Sequence, residues 1–237
     1  MNAKEEGFSK QTDFVIALGG SIVCPDDINV SYLKEFYSFV LEEISKGKRF
    51  IFVVGGGGPA RKYQKAAHEI AELTDEDKDW IGVHATRLNA HLLRTIFRKE
   101  AHPVLFEERH KMKDFEGHSI IIGAGWRPGW STDFVAVQIA ADFKVKQAII
   151  LGKPEHVYDK DHQLFDDAKP IEELNWTEYL KLIPNEWKPG IHAPVDPVAA
   201  KLAQQENLEV VVASGKDLNN FRNILEGKQF KGTIIKD

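Results

Sequence analysis

Two glycine-rich turns stand out in the sequence, because each directly follows an apolar run. The first, at residues 19–21, follows the run 13–18, and the second, at residues 55–60, follows the run 50–54. Glycines at the end of a buried strand expose backbone N–H groups, and a following helix directs its positive end at the same point. Two such turns predict two anionic groups held face to face, as phosphoryl transfer requires.

Polar side chains beside the turns supply further phosphate-binding groups. Arg61 lies in the first turn of the helix predicted after the second glycine turn, where its guanidinium can bind a phosphate through two hydrogen bonds. A third segment, residues 123–133, again follows an apolar run and ends in Ser131, Thr132 and Asp133. These residues are typical of a helix N-cap. The same geometry can hold a ligand while Asp133 orders a lysine, a metal-bound water or the glycine turns.

Other interpretations of the glycine turns fit less well. Residues 55–60 match the relaxed dinucleotide-binding pattern G-x-G-x-x-A, but that pattern normally follows the first strand of its fold, and here it follows the second. The acids at 75–77 precede a predicted helix rather than end a strand. No G-x4-G-K-[ST] Walker A loop occurs. A tight strand-to-helix turn explains one glycine pair alone, but it explains two such turns less well.

The elements that must position these residues alternate along the chain. Continuous apolar runs without alternation fit strands buried on both faces. Between these runs, apolar residues recur every three or four positions, which predicts helices at 33–44, 63–70 and 88–97. Strands alternating with helices predict an α/β fold with a mostly parallel sheet, whose ligands sit at the carboxyl ends of the strands. The predicted strands are 13–18, 50–54, 119–122, 147–151 and 208–213.

Composition narrows the function classes. The 237 residues carry a formal net charge of −5 and no long basic run, which argues against a general nucleic-acid-binding protein. Cys24 is the single cysteine, so an internal disulfide is excluded and a reducing compartment is favoured. The polar residues 1–12 do not resemble a signal peptide, and no apolar stretch approaches the ~20 residues of a membrane span. We expect a cytoplasmic protein without nucleic-acid or membrane partners.

The domain organisation is predicted to be simple. Residues 1–12 are expected to form a disordered tail, and residues 13–237 a single domain. Residues 152–195 are less regular and contain several prolines, which predicts a lobe or long excursion with a helix near 171–182.

Taken together and in order, these motifs resemble the amino acid kinase superfamily, and within it the uridylate kinases of archaeal type. The resemblance runs over nearly the whole chain, so that several individually weak motifs support one another. The matching segments are 17–21, 53–57 with 60–63, 79–82 with 85–90, 128–129 with 131–133, 157–161, 195–201 and 232–235.

The resemblance implies a fold, a cofactor and partners. Members of this superfamily are three-layer αβα sandwiches, and such enzymes are commonly homo-oligomers, either dimers or hexamers of dimers. ATP would lie over residues 146–237 with Mg²⁺ on its phosphates, and the acceptor phosphate would lie over residues 13–145. The expected partners are small-molecule nucleotides, and no metal bound by protein ligands alone is expected.

The resemblance also implies a role for each matching residue. Gly20, Arg61 and Asp133 would act in catalysis. Asp79 would bond the ribose, and Asp133 would organise the centre of the site. The residues on the ATP side would be Gly19, Gly20, Ser21, Tyr158, Lys160 and Asp161. The residues on the acceptor side would be Gly55, Gly56, Gly57, Arg61, Asp79, Thr86, Trp126 and Thr132.

Three positions depart from the family pattern. Many relatives carry a lysine two residues before the first Gly-Gly, where this chain has Ala17. Trp126 replaces a threonine expected near the base and predicts an altered acceptor pocket, in which the ring either stacks on a base or closes the pocket. Residues 153–156 replace the usual Asn-Val-Asp-Gly on the ATP side. The candidates for the charge missing at Ala17 are Lys160, Lys153, Lys201 and Arg127.

Three functions stay open on the sequence alone. The leading hypothesis is transfer of the ATP γ-phosphate to a nucleoside monophosphate, most simply UMP. A second is a kinase of the same fold with another acceptor, an isoprenoid phosphate or a small acid, suggested by Trp126 and Trp130. A third is a non-catalytic protein that stores nucleotides or oxyanions, suggested by Ala17 and residues 153–156.

Overall fold

The computed structural model describes residues 12–161, 164–184 and 193–237. Within these ranges strands and helices alternate over most of the chain. The strands are β1 (Thr12–Leu18), β2 (Lys48–Val54), β3 (Ile120–Gly123), β4 (Gln147–Gly152), β5 (Val157–Tyr158), β6 (Pro170–Ile171), β7 (Glu173–Leu174), β8 (Glu209–Ser214) and β9 (Thr233–Ile235). The helices are α1 (Gly20–Val23), α2 (Val30–Ser45), α3 (Gly57–Ile70), α4 (Asp75–Ile96), α5 (Thr132–Asp142), α6 (Trp176–Leu182), α7 (Pro197–Gln205) and α8 (Leu218–Leu225).

Strand β1 lies at the centre of a seven-stranded sheet with the order β3-β2-β1-β4-β8-β9-β7. It pairs in parallel with both β2 and β4. Among the described strands of this sheet, the one antiparallel pairing is that of β8 with β9, while β5 and β6 form a separate antiparallel pair. The chain moves outward on one side through β2 and β3 and then returns to the other side through β4. Because a parallel sheet binds ligands where its strand order reverses, the carboxyl ends of β1 and β4 are the expected ligand site.

Both faces of the sheet are covered by helices, which explains why the strands are continuous apolar runs. Val15 and Ala17 of β1 face a core that α5, α6 and α7 cover. Ile16 and Leu18 face the opposite core, which α2, α4 and α8 cover. The predicted α/β three-layer fold with a mostly parallel sheet is confirmed.

The irregular stretch after β4 differs from its prediction. A helix was expected near 171–182, but the chain first forms the short strands β6 and β7, and helix α6 begins only at Trp176. Asn175 caps this helix through a capping box with Glu178, which sets its first turn. Most of the predicted tail lies outside the described residues. In the part of the chain that is described, no helix is long and apolar enough to cross a membrane.

The two glycine turns touch each other through their backbones. A Cβ added to Gly20 would lie 2.2 Å from the Gly57 nitrogen, and one added to Gly55 would lie 2.4 Å from the Gly20 nitrogen. Gly57 also has a φ of +62°, which side chains rarely adopt. The amide of Gly58 donates to the carbonyl of Cys24 at 2.7 Å, which joins the segment after α1 to the start of α3. Only glycine allows this approach.

A Gly20→Ala substitution therefore tests this contact. The added methyl group meets backbone atoms that cannot move aside, so we expect a loss of several kcal/mol of unfolding free energy (about 2–4 kcal/mol). The matched control is Gly82→Ala in α4, where an added Cβ has only the Gln64 Nε2 atom near, at 3.8 Å. The control should be neutral or stabilising by up to about 1 kcal/mol. Urea unfolding measures both, and equal stability of the two variants would contradict the contact.

Candidate active site

A cavity of about 700 Å³ lies where the sheet order reverses. Its floor includes Ala17, Ile150 and Val212, from the ends of three neighbouring strands. The first glycine turn and the start of α5 form part of its wall, and residues 152–161 form another part. The cavity therefore sits at the carboxyl ends of β1, β4 and β8.

The structure brings all of the residues predicted for the ATP side together in this cavity. It does not place all of the acceptor-side residues there. The predicted residues that line it are Gly19, Gly20, Ser21, Gly55, Arg61, Thr132, Asp133, Tyr158, Lys160 and Asp161. The predicted residues outside its lining are Gly56, Gly57, Asp79, Thr86 and Trp126.

Asp133 borders the cavity in the first turn of α5, beside a second carboxylate, Asp196. Burial is the largest cause that raises the pKa of Asp133, and the charge of Asp196 adds to it, while a hydrogen bond from the Asp196 backbone amide opposes the shift. The net result is a pKa of about 8. These surroundings thus favour the neutral form of Asp133. A cation placed beside it, from a lysine or a metal, would reverse that preference.

Asp196 is itself held by hydrogen bonds from three groups. As the N-cap of α7, its side chain accepts from the amides of Val198 at 2.8 Å and Ala199 at 3.0 Å. The hydroxyl of Ser131, the N-cap of α5, donates to its other carboxylate oxygen. The starts of α5 and α7 are therefore joined through one carboxylate, which fixes Asp133 relative to the cavity.

Tyr179 supports this junction from within the core. Its hydroxyl donates to the carbonyl of Val195 and accepts from the amide of the same residue, each at 2.7 Å. The side chain is fully buried, and burial raises its pKa above the usual value. Sequence reasoning missed this contribution, because an aromatic residue on a helix is most often core, and nothing along the chain links it to Val195.

Asp79 joins the start of α4 to the loop that precedes α5. Its carboxylate accepts a hydrogen bond from the amide of Gly129 at 2.8 Å, and Gly129 has a φ of +81°. Burial raises the pKa of Asp79, the hydrogen bond from the Gly129 amide lowers it and the charge of Asp75 raises it, so that the net shift is upward. The sequence suggested that Asp79 bonds a ribose, and in this structure one of its oxygens already holds the loop.

Thr86 and Trp126 are both buried beside this loop. The Thr86 hydroxyl donates to the Val83 carbonyl at 2.6 Å and accepts from the Gly125 amide at 2.7 Å. The indole N–H of Trp126 donates to the Phe106 carbonyl at 3.2 Å, and only 6% of the residue is exposed. The sequence predicted that this ring stacks on a base or closes the acceptor pocket. In the structure almost none of the ring is exposed for stacking on a ligand.

Asn89 was not singled out from the sequence, yet it holds the second glycine turn. Its side-chain amide donates to the carbonyls of Gly55 at 2.8 Å and Gly56 at 3.1 Å. In a trans peptide the N–H points opposite to the C=O. The amides of Gly56 and Gly57 are therefore directed away from Asn89. The only signal in the sequence is a polar residue on the apolar face of α4.

Cationic side chains near the cavity differ in how they are engaged. Arg61 donates to the carbonyl of Pro25 from the exposed first turns of α3. Lys160 forms an ion pair with Asp167 at 2.6 Å. His156 packs edge to face against the ring of Tyr158, with ring centroids 6.2 Å apart.

The donor groups present suit a nucleotide with its own magnesium ion. Among the described residues, no cluster of three or more His, Cys, Asp or Glu side chains could hold a metal. Mg²⁺ is usually bound through one or two carboxylates together with substrate phosphates. Asp133 provides one such carboxylate at the cavity. ATP with Mg²⁺ therefore fits these residues.

Comparison with known proteins agrees with this site. Residues 14–214 match the sequence model of the amino acid kinase family. The uridylate kinase of Thermococcus kodakarensis is 30% identical over 94% of this chain and 98% of that protein. The uridylate kinase of Thermoplasma volcanium is 32% identical over 94% and 97%. The crystal structure of the uridylate kinase from Archaeoglobus fulgidus superposes with a TM-score of 0.80 at 25% identity, covering 95% and 99%.

The chain belongs to the amino acid kinase family. Its relatives are kinases, and the match extends over the whole of the cavity and both glycine turns. The protein is accordingly an ATP-dependent kinase.

Asp133 should make the stability of the ligand-free protein depend on pH. Its pKa rises from 3.8 to about 8 on folding. At pH values between these two, the unfolded chain has lost a proton that the folded protein retains, so the free energy of unfolding falls as pH rises, by up to about 1.4 kcal/mol per pH unit. Asp133→Asn removes this contribution, and we expect its stability relative to wild type to increase from pH 5 to pH 8.

Urea unfolding at several pH values, with EDTA present and nucleotide absent, measures this difference. Asp166→Asn, at an exposed position, controls for the loss of one carboxylate. A stability difference between Asp133→Asn and wild type that is the same at every pH would contradict the raised pKa of Asp133.

Proposed function

We propose that this kinase transfers the γ-phosphoryl group of ATP to UMP, giving ADP and UDP. The observation that carries the proposal is the backbone contact between the two glycine turns at the cavity. A donor phosphate over Gly19 and Gly20 and an acceptor phosphate over the second turn would meet within a bond-forming distance. The names of the similar proteins, uridylate kinases over nearly the full chain, support UMP as the acceptor.

The reaction needs little covalent chemistry from the protein. A phosphate oxygen of UMP attacks the γ-phosphorus of ATP, and the bond from that phosphorus to the β,γ-bridging oxygen breaks. ADP leaves with the electron pair of that bond. Catalysis therefore consists of alignment and of neutralising charge, which backbone amides and fixed cations supply. Mg²⁺ bound to the ATP phosphates would add positive charge there.

The donor and the acceptor are assigned to different halves of the sheet. We assign ATP to residues 146–237, which contribute Tyr158, Lys160 and Asp161 to the cavity. We assign the acceptor to residues 13–145, which contribute Gly55 of the second glycine turn and Arg61 to the cavity. The strand order supports this division, because β2 and β3 lie on one side of β1, and β4 and β8 lie on the other.

The packing of Trp126 and Trp130 gives no support to an acceptor other than a nucleotide. That hypothesis depended on Trp126 and Trp130 changing the acceptor pocket. Trp126 belongs to the core, and Trp130 packs on Phe134 at a centroid distance of 4.7 Å and under the guanidinium of Arg127 at 3.8 Å. Both rings therefore pack against the protein's own residues.

Purified protein should form ADP from ATP only when UMP and Mg²⁺ are both present. A coupled ADP assay with UMP, CMP, AMP and GMP in turn measures this directly. UMP should give the highest kcat/KM, and UDP should accumulate in equal amount to ADP. Failure to turn over any nucleoside monophosphate, or ADP formation independent of the acceptor, would refute the proposal.

Arg61 should contribute mainly to the use of the acceptor. Its side chain lies beside the second glycine turn, where it can leave the Pro25 carbonyl to bind a phosphate. We expect Arg61→Ala to lower kcat/KM for UMP about 10- to 100-fold, because one charge-assisted phosphate contact is lost. Lys65→Ala, one helical turn further along α3 and exposed, is the control. Equal kinetics of Arg61→Ala and this control would exclude the assigned role.

We also propose that the protein forms homo-oligomers, built from dimers through α3 and α4. Several large apolar side chains on these two helices are exposed, namely Tyr63, Ile70, Trp80 and Leu88. Ile70 is 87% exposed, which costs less if a second copy covers it. Ile70→Glu should reduce the mass measured by light scattering after size exclusion, while Ile28→Glu, at an exposed residue outside these helices, should not. A monomeric wild type would contradict the proposal.

A further inference from the structure

The cavity needs positive charge next to the first glycine turn, and the strand leading into that turn does not provide it. The neighbouring floor position on β1 is Ala17, an apolar residue that is 1% exposed. Three aspartates line the same cavity, namely Asp133, Asp159 and Asp161. A triphosphate entering this space brings further negative charge, so a cation that faces the cavity must offset part of it.

Most of the candidate cations are already engaged or lie elsewhere. Lys160 is paired with Asp167 at 2.6 Å, and its ammonium lies 5.4 Å from the centre of the Phe165 ring. Arg127 stacks on Trp130 and does not line the cavity. Lys201 projects from α7 and is not among the cavity-lining residues either.

Lys153 differs from all of these. It lines the cavity, its side chain is exposed, and among the described residues no hydrogen bond or ion pair engages its ammonium group. Its charge is therefore available to a ligand without first breaking another interaction. Arg61, which also lines the cavity, lies on the side of the second glycine turn.

The backbone holds Lys153 next to the first glycine turn. The amide of Gly19 donates to the carbonyl of Leu151 at 2.8 Å, and an added Cβ on Gly19 would be 3.5 Å from the Gly152 Cα atom. On the other side, the amide of Gly215 donates to the Gly152 carbonyl at 2.9 Å. Lys153 thus leaves the sheet between two bonded neighbours, at the point where β1 enters its turn.

Pro154 restricts this lysine further. A residue that precedes proline is confined mainly to extended backbone conformations, because the proline ring excludes the helical region. The direction in which the Lys153 side chain leaves the backbone is therefore limited. Because the backbone of Lys153 is already restricted, less entropy is lost when its ammonium group binds a phosphate.

We propose that Lys153 binds the donor phosphates and supplies the positive charge that Ala17 cannot. The inference rests on the proposed function in taking ATP as the donor. As the bond between the γ-phosphorus and the bridging oxygen breaks, negative charge collects on the β-phosphate of the leaving ADP. The ammonium group stabilises that charge by a hydrogen bond and transfers no proton, so the balance of the reaction is unchanged.

Lys153→Met tests this role, because it retains most of the side-chain length and removes the charge. We expect kcat to fall about 10- to 100-fold and the affinity for ATP, measured by calorimetry, to weaken, while KM for UMP changes less than about 2-fold. Lys153→Arg should recover part of the activity. The matched control is Lys146→Met, an exposed lysine just before the other end of β4, which should behave as wild type.

The measurements separate failure of this inference from failure of the proposed function. Wild-type protein that binds ATP but phosphorylates no nucleoside monophosphate would refute UMP kinase activity, and a weaker ATP affinity in Lys153→Met would still support the lysine's role. Wild-type kcat and ATP affinity in Lys153→Met would overturn the role of Lys153. Equal losses in Lys153→Met and Lys146→Met would overturn it too. Circular dichroism checks that each variant is folded.

Discussion

The backbone contact between the two glycine turns is the constraint on which the rest of the site depends. The Gly20 and Gly57 backbones approach so closely that a Cβ on Gly20 would lie 2.2 Å from the Gly57 nitrogen. Such an approach is possible only because β1 and β2 are parallel neighbours in register, so that both strands end at the same level. Asn89 then directs the second turn by binding the carbonyls of Gly55 and Gly56.

Electrostatics complements this contact on the other side of the cavity. Asp133 and Asp196 are held together by the capping groups of two helices and by Tyr179 beneath them. Two neighbouring carboxylates, one of them buried, cost free energy unless a cation lies beside them. A cation that enters the cavity together with a nucleotide would relieve this repulsion.

Local sequence signals predicted the parts of the site that depend on backbone shape. Apolar runs identified the five long strands because both faces of the sheet are covered. The glycines at the ends of two of these runs identified the two turns. The directions of side chains were harder to predict from the sequence. Trp126, in the connection between β3 and α5, was expected near the acceptor. Its indole N–H instead donates to the carbonyl of Phe106, twenty residues earlier in the chain. The helix expected near 171–182 begins late because β7 pairs with β9, some sixty residues further along.

The sequence by itself determined the fold class, the two glycine turns and the family, since these follow from local periodicity, from glycine's freedom and from the order of motifs. Only the tertiary structure decided which side chains reach the cavity. It placed Lys153 there and Trp126 in the core, and it joined Asp133 to Asp196 and Tyr179 across distant segments. The physical reason is that burial and pairing of side chains depend on non-local packing, which no short stretch of sequence encodes.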